Sequence, residues 1–306
     1  MKKEEFLSFL KQERGLSTQT QREYGIDLDT WSRWLKENGL EGQEVGPKVV
    51  QGYVRTLREK GLAPATVARK VSSCSTYHKW AKREGHIKEN PVYFIELPKR
   101  PKRLPIYLSD DERMRFLSRL NSEAEESPYM GTRNRAMFAL MLFTGLRITE
   151  TRTLQATNII MQAGQPYRVR VVGKGDKERE VRLHPEAVAA LSRWLAVREA
   201  MKDPETSRKV TRRSPKELYS NYLFPGPIGE PMSAKGIQEI MRRLAKEVSP
   251  GKRLTPHKLR HSCATWLHRR GAPLVAIQKV LGHENISTTT IYTHLEDKEL
   301  DAIFEG

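Results

Sequence analysis

Apolar positions in the first hundred residues recur with the period of helices. Tyr24, Leu28, Trp31 and Leu35 fall at i, i+4, i+7 and i+11; Ser17-Thr18 can start this segment and Asn38-Gly39 can stop it, so one amphipathic helix is predicted here. Pro64 stands where a first helical residue belongs, and Val67, Val71, Cys74 and Tyr77 continue as an apolar stripe up to Gly85. Off that stripe lie Thr66, Arg69, Lys70, Ser73, Lys79, Lys82 and Arg83, a face that is either solvated or turned towards a polyanion.

The periodicity stops at Leu97-Pro98-Lys99-Arg100-Pro101-Lys102-Arg103-Leu104-Pro105. Three prolines forbid a regular helix here, and the cations Lys99, Arg100, Lys102 and Arg103 suit a phosphate backbone. A nuclear address is the competing reading of such a run. A linker is predicted at 98–105, between a helical domain over 1–97 and a second domain over 106–306. Ser109-Asp110-Asp111-Glu112, a capping-box sequence, opens the second domain. Met137 to Phe143 is apolar at every position, as in a helix buried on all sides, and Gly145 ends it. Arg168 to Val172 and Arg179 to Leu183 flank Gly173-Lys174-Gly175-Asp176, which predicts a small β-hairpin sheet. Ala200 to Leu223 is charged and irregular, either a solvated insertion or an extra loop with cations for a polyanion, and Ser233 to Val248 is again helical. The fold class is therefore mainly α, in two domains, the second mixed.

The stretch from Thr255 to His294 concentrates the chemistry. Thr255 can cap a helix whose first residue is Pro256, which places His257 and Arg260 on one face of its first turn. Gly271 and Pro273 stop that helix, and Leu274, Ile277, Val280 and Leu281 make a second that ends at Gly282. A third, capped near Ser287, carries Tyr292. Three short helices so arranged can bring His257, Arg260, His283 and Tyr292 around one anion.

Charge agrees with an anionic partner. The 306 residues carry net +17; residues 1–104 contribute +8 and the other 202 contribute +9, so both domains are basic. No long apolar run supports a membrane partner. Cys74 and Cys263, the only cysteines, point to a reducing compartment and lack metal-ligand spacing. His257 and His261 stand four apart, but Lys258 replaces the glutamate of a His-Glu-x-x-His zinc motif, and Gly173-Lys174-Gly175 lacks the spacing of a nucleotide-binding loop. Neither metal nor nucleotide cofactor is expected. Without an apolar signal region after Met1, the expected location is the cytoplasm.

Four motifs in this order, Thr144-Gly145-Leu146-Arg147-Ile148-Thr149-Glu150, Gly173-Lys174-Gly175-Asp176-Lys177-Glu178-Arg179, His257-x-x-Arg260-His261 and Leu281-Gly282-His283 with Tyr292, resemble the tyrosine recombinases of the lambda-integrase family, with wording closest to its Xer branch. The longer 200–222 connection departs from that branch. The resemblance implies a SAM-like core-binding domain over 1–97, where Arg69 and Lys70 would touch DNA together with the linker cations Lys99, Arg100, Lys102 and Arg103. Over 106–306 it implies a catalytic domain with a C-terminal segment that docks on a neighbouring protomer. It further implies phosphate binding by Arg147 and Arg260, a stabilising bond from His283, a general base in His257 and a nucleophile in Tyr292. Lys174 would be the general acid at the hairpin tip, with Lys177 as its rival, and Glu150 a carboxylate that holds an arginine or lysine in place. The implied partner is double-stranded DNA, bound by a homotetramer at two sites in the nucleoid, with or without a partner recombinase. The implied activity is site-specific strand exchange through a 3′-phosphotyrosine and a Holliday junction, without ATP or metal, in chromosome-dimer resolution or mobile-element integration and excision. A type IB topoisomerase or a catalytically silent site-binding protein would share parts of this pattern.

Overall fold

The computed structural model describes residues 1–93, 95, 106–173, 177–211, 220–227 and 229–282. It divides into two compact units, Met1–Arg103 and Leu104–Gly306. No helix among the described residues is long and apolar enough to cross a membrane.

The first unit is built from α1 (Lys3–Gln12), α2 (Thr18–Glu37), α3 (Pro47–Glu59) and α4 (Pro64–Arg83). Ser17 caps α2, its hydroxyl accepting the Thr20 N–H at 3.3 Å. Leu28 and Trp31 of the predicted stripe are fully buried, whereas Tyr24 and Leu35 lie at the margins of the packing. Helices α1 and α3 were not anticipated. The first has no side-chain cap to announce it, while the second begins at Gly46-Pro47 and buries Val50, Tyr53, Val54 and Leu57 at helical spacing. Aromatic rings fill the centre: Trp31 meets Tyr53 edge-on at 4.7 Å between centroids and stacks on Trp34 at 5.6 Å.

The polar face of α4, which the sequence leaves either solvated or turned towards a polyanion, is partly committed inside the unit. Asp27 of α2 is fully buried and accepts Lys70 Nζ at 3.1 Å and Ser73 Oγ at 2.8 Å. The Arg69 guanidinium pairs with the same carboxylate, and Lys70 also donates to Thr30 Oγ1 at 3.1 Å. Lys70, expected as a DNA contact, is instead buried, because only a counter-ion inside the unit makes its charge tolerable there. Arg69 keeps 45% of its side chain exposed.

The second unit runs α5 (Asp110–Glu126), α6 (Met130–Thr144), α7 (Ile148–Thr153), β1 (Ile159–Gln162), β2 (Gln165–Val172), β3 (Glu178–Arg182), α8 (Pro185–Ala200), α9 (Pro204–Thr211), α10 (Ala234–Val248), α11 (Pro256–Arg269) and α12 (Leu274–Leu281). The capping box of α5 is complete: Glu112 N–H donates to Ser109 Oγ at 3.2 Å and Ser109 N–H to Glu112 Oε2 at 2.8 Å. Helix α6 is the centre, buried from Gly131 to Thr144, with α5, α8 and α11 packed around it. The sheet is antiparallel in the order β1-β2-β3, and Ile159, Val169, Val171 and Val181 fill its inner face. Strand β1, only four residues long, was too short to register as a pattern. At the base of the β2–β3 turn, Gly173 N–H donates to Lys177 O at 2.8 Å. Part of the stretch expected to be irregular is helical: Asp203 accepts the Thr206 N–H at 2.7 Å and Pro204 opens α9.

Candidate active site

Two helix ends form the corner in which the candidate residues meet. Helix α6 ends at Gly145 (φ 63°) and α12 at Gly282 (φ 66°), both in the left-handed region that glycine enters without penalty. Side chains are excluded there for a second reason. A Cβ on Gly145 would lie 2.3 Å from Leu281 Cδ2, and one on Gly282 would lie 3.0 Å from the Arg179 guanidinium.

The last carbonyls of a helix lack partners within it and carry the negative end of its dipole. Arg260 occupies that position on both helices at once. Starting from the α11 cap, where Thr255 accepts the Lys258 N–H at 3.4 Å, the first turn aims Arg260 at the corner. Its Nη1 donates to Gly145 O at 2.7 Å and its Nη2 to Leu281 O at 2.6 Å, and the residue is buried.

Arg147 caps α7 and reaches the same corner from the other side. Its Nη2 donates to Gly282 O at 3.2 Å, the carbonyl next to the one Arg260 holds, and its Nη1 donates to Glu150 Oε1 at 2.9 Å. The Arg147 N–H donates to Glu150 Oε2 at 2.8 Å, so one carboxylate fixes both the backbone and the side chain of this arginine. Two contacts orient the guanidinium, yet 40% of the side chain stays exposed and its other N–H donors have no hydrogen-bond partner among the described residues.

Glu150 is buried, and burial alone would raise its pKa. Hydrogen bonds from Arg179, the Arg147 N–H and the Arg147 side chain outweigh that effect and hold the carboxyl below the usual carboxylate range. Arg179 makes a two-pronged bond to it, Nη1 to Oε1 at 3.1 Å and Nη2 to Oε2 at 2.8 Å. The sequence places this arginine at the end of the hairpin motif and the start of a strand and gives it no role at the site. Period-two alternation was the available signal, since it sets Arg179 on the same face of β3 as buried Val181.

His257 lies one turn before His261 on α11, with the two rings edge-on at 4.6 Å. Burial, followed by the nearby cations Arg260 and Arg147, lowers the pKa of His257 and so favours the neutral imidazole, the form that accepts a proton. His261 is pushed down to about 4 by burial, His257 and Arg260. The structure thus brings Arg147, Glu150, His257 and Arg260 together. Lys174, His283 and Tyr292, and the linker cations Lys99, Arg100, Lys102 and Arg103, lie outside the described residues. Lys177 is described as the residue that closes the hairpin base through its backbone.

The family model described as Phage integrase family matches residues 111–299, and that of the Phage integrase N-terminal SAM-like domain matches residues 4–85. The chain belongs to the phage integrase family. Family relatives include the tyrosine recombinase XerD of Halalkalibacterium halodurans, 34% identical over 303 residues that cover 98% of this chain and 95% of the relative. The tyrosine recombinase XerC of Vibrio vulnificus is 32% identical over 306 residues, covering 99% of this chain and 89% of the relative. Both are Xer proteins, the branch that the motifs resemble. Among solved integrase-family structures, the XerH site-specific recombinase in a post-cleavage complex with its difH substrate shares the fold with a TM-score of 0.74 at 21% identity, covering 98% of this chain and 83% of that one. The Tn1549 transposon integrase bound to circular-intermediate DNA gives a TM-score of 0.67 at 22% identity, covering 94% of each chain.

Proposed function

We propose that this protein is a site-specific DNA recombinase that cleaves and rejoins duplex DNA through a 3′-phosphotyrosyl intermediate. The observation that carries the reading is the pair of guanidiniums held on adjacent carbonyls, Leu281 O and Gly282 O, with His257 on the same helix turn as Arg260. A phosphodiester resists attack because its anion repels nucleophiles and because the leaving alkoxide is strongly basic. Arg147 and Arg260 answer the first difficulty, since fixed planar forks neutralise the phosphate without reorganising as charge develops. His283 adds a hydrogen bond to that charge.

In the step itself Tyr292 Oη bonds to phosphorus as the bond to the 5′ oxygen breaks. The phenolic proton, with an unperturbed pKa of about 10, goes to His257, and the departing oxygen takes a proton from Lys174. The ester retains the energy of the broken bond, so a free 5′ hydroxyl can reverse the step on the same or another strand without ATP or metal. Double-stranded DNA is the partner. A tetramer on two sites exchanging strands through a Holliday junction follows the family pattern, and serves either chromosome-dimer resolution or the movement of a mobile element. Tyrosine recombinases among the close relatives favour exchange over simple relaxation of supercoils.

The test is covalent capture. Wild type and Tyr292→Phe are incubated with fragmented genomic DNA, denatured, and the protein-linked ends sequenced. Linked 3′ ends sharing one sequence with wild type alone are expected. Equal and negligible capture by both, with tight binding retained, would leave a DNA-binding protein without this chemistry.

A further inference from the structure

We propose that Arg179 is a positioning residue for the cleavage step, tying β3, the strand that follows Lys174 in the sequence, to the carboxylate that orients Arg147 and to the end of α12. The inference rests on the recombinase reading above. Its basis is the number of separate elements that one side chain holds. Arg179 sits on β3 opposite Val171 of β2, so its backbone belongs to the hairpin. Its fork takes both oxygens of Glu150 on α7, and its Nε donates to Val280 O in the last turn of α12 at 3.1 Å. The face of the same guanidinium lies so close to Gly282 that a Cβ there would approach Nη1, Cζ and Nε to 3.0–3.1 Å.

These three elements lead in sequence to the three groups that must agree in space. Lys174 lies in the sequence between β2 and β3, Arg147 immediately precedes α7, and His283 follows the Gly282 that ends α12. Only 12% of the Arg179 side chain is exposed, which leaves its donors directed at protein acceptors and makes it a brace, with no contact to the reacting atoms. A lysine offers one point charge and cannot reproduce a planar fork plus a third donor. Losing the fork would leave Glu150 with Arg147 as its one cationic partner among the described residues and would remove the bond from β3 to Val280 O, loosening the seat of the β2–β3 segment on the site. The acid is the group most dependent on that seat.

The test uses the full chain and a synthetic duplex of the captured site, with the bridging 5′ oxygen at the scissile phosphate either retained or replaced by sulfur. A thiolate departs without an acid, so the sulfur duplex bypasses Lys174. Arg179→Lys should lose about 100-fold in cleavage on the oxygen duplex, the scale of a displacement near 1 Å, and no more than about tenfold on the sulfur duplex. Arg179→Gln, which keeps one donor of the fork on β3, should show the same sulfur rescue and keeps the idea testable if the first variant does not fold. Equal losses on both duplexes, or no loss on the oxygen duplex, would overturn the proposal. Wild type that forms no adduct with either duplex would overturn the recombinase reading itself, and this inference with it.

Discussion

Replacing Gly145 by alanine tests the corner on which the site depends. The substitution adds one methyl group, which meets two separate obstacles. The backbone at φ 63° is left-handed, which costs a residue with a Cβ about 1–2 kcal/mol. The methyl would also sit 2.3 Å from Leu281 Cδ2 and 3.4 Å from Cys263 Sγ, both in fully buried side chains, and overpacking of this kind costs about 1–3 kcal/mol. Stiffening of the unfolded chain returns about 0.4–1 kcal/mol, so a net destabilisation of about 1–4.6 kcal/mol is expected. Cys263 supplies the assay, because burial pushes its thiol up to about 12 and makes it inert in the folded unit. In a Cys74→Ser background, the rate of thiol labelling across a urea series measures the free energy of opening beside Gly145. Combining Gly145→Ala with Leu281→Ala separates the obstacles: the steric part should vanish in the double-mutant cycle as a coupling of about 1 kcal/mol or more, leaving the backbone part. Cleavage should fall further than stability alone explains, since Arg260 is bonded to Gly145 O and Leu281 O. A measured change below about 0.5 kcal/mol, against the overpacking range, would refute the account of this corner.

Two other outcomes concern buried charge. Asp27→Ala strands Lys70 inside the first unit and should destabilise it by about 3–5 kcal/mol, measured by urea unfolding followed by circular dichroism, with Asp27→Ala/Lys70→Met recovering part of the loss; a cost below about 1 kcal/mol would show the pair to be dispensable. Acid should weaken the second unit in two windows. His261, lowered from 6.5 to about 4, binds a proton more readily when unfolded, so its contribution is intact above pH 6.5 and is lost as pH falls towards 4. For Glu112, burial opposes ionisation but bonds from Lys252, Ser249 and Ser109 N–H prevail and bring it from 4.5 to about 2, so its contribution is present above 4.5 and is lost as pH falls through 2. His261→Gln should flatten the upper window and Glu112→Gln the lower one in Cys263 labelling at graded pH, and unchanged profiles would contradict both assignments.

Much of the architecture was legible from local patterns. The Ser17, Ser109 and Thr255 caps, the Pro64 start of α4, the all-buried α6 and the glycine stops at Gly145 and Gly282 each depend on residues within a few positions of one another. The short α1 and β1 lacked a repeat long enough to read, and α9 lay inside a run whose charge resembled a loop. At the site, helical spacing put His257 and Arg260 on one face, and the resemblance of the motifs singled out Arg147 and Glu150. Neither singled out Arg179.

By itself the sequence determined where helices start and stop, which face of each is apolar, that both halves are basic, and which reactive groups are present. Only the tertiary structure decided what each charge does. Lys70 meets Asp27 across 43 positions, Arg179 meets Glu150 across 29, and Arg260 meets Gly145 O across 115. Helical period and capping are settled by neighbours along the chain, whereas the burial and pairing of a cation are settled by whichever distant carboxylate or carbonyl folding brings within 3 Å, where a lone buried charge would be intolerable.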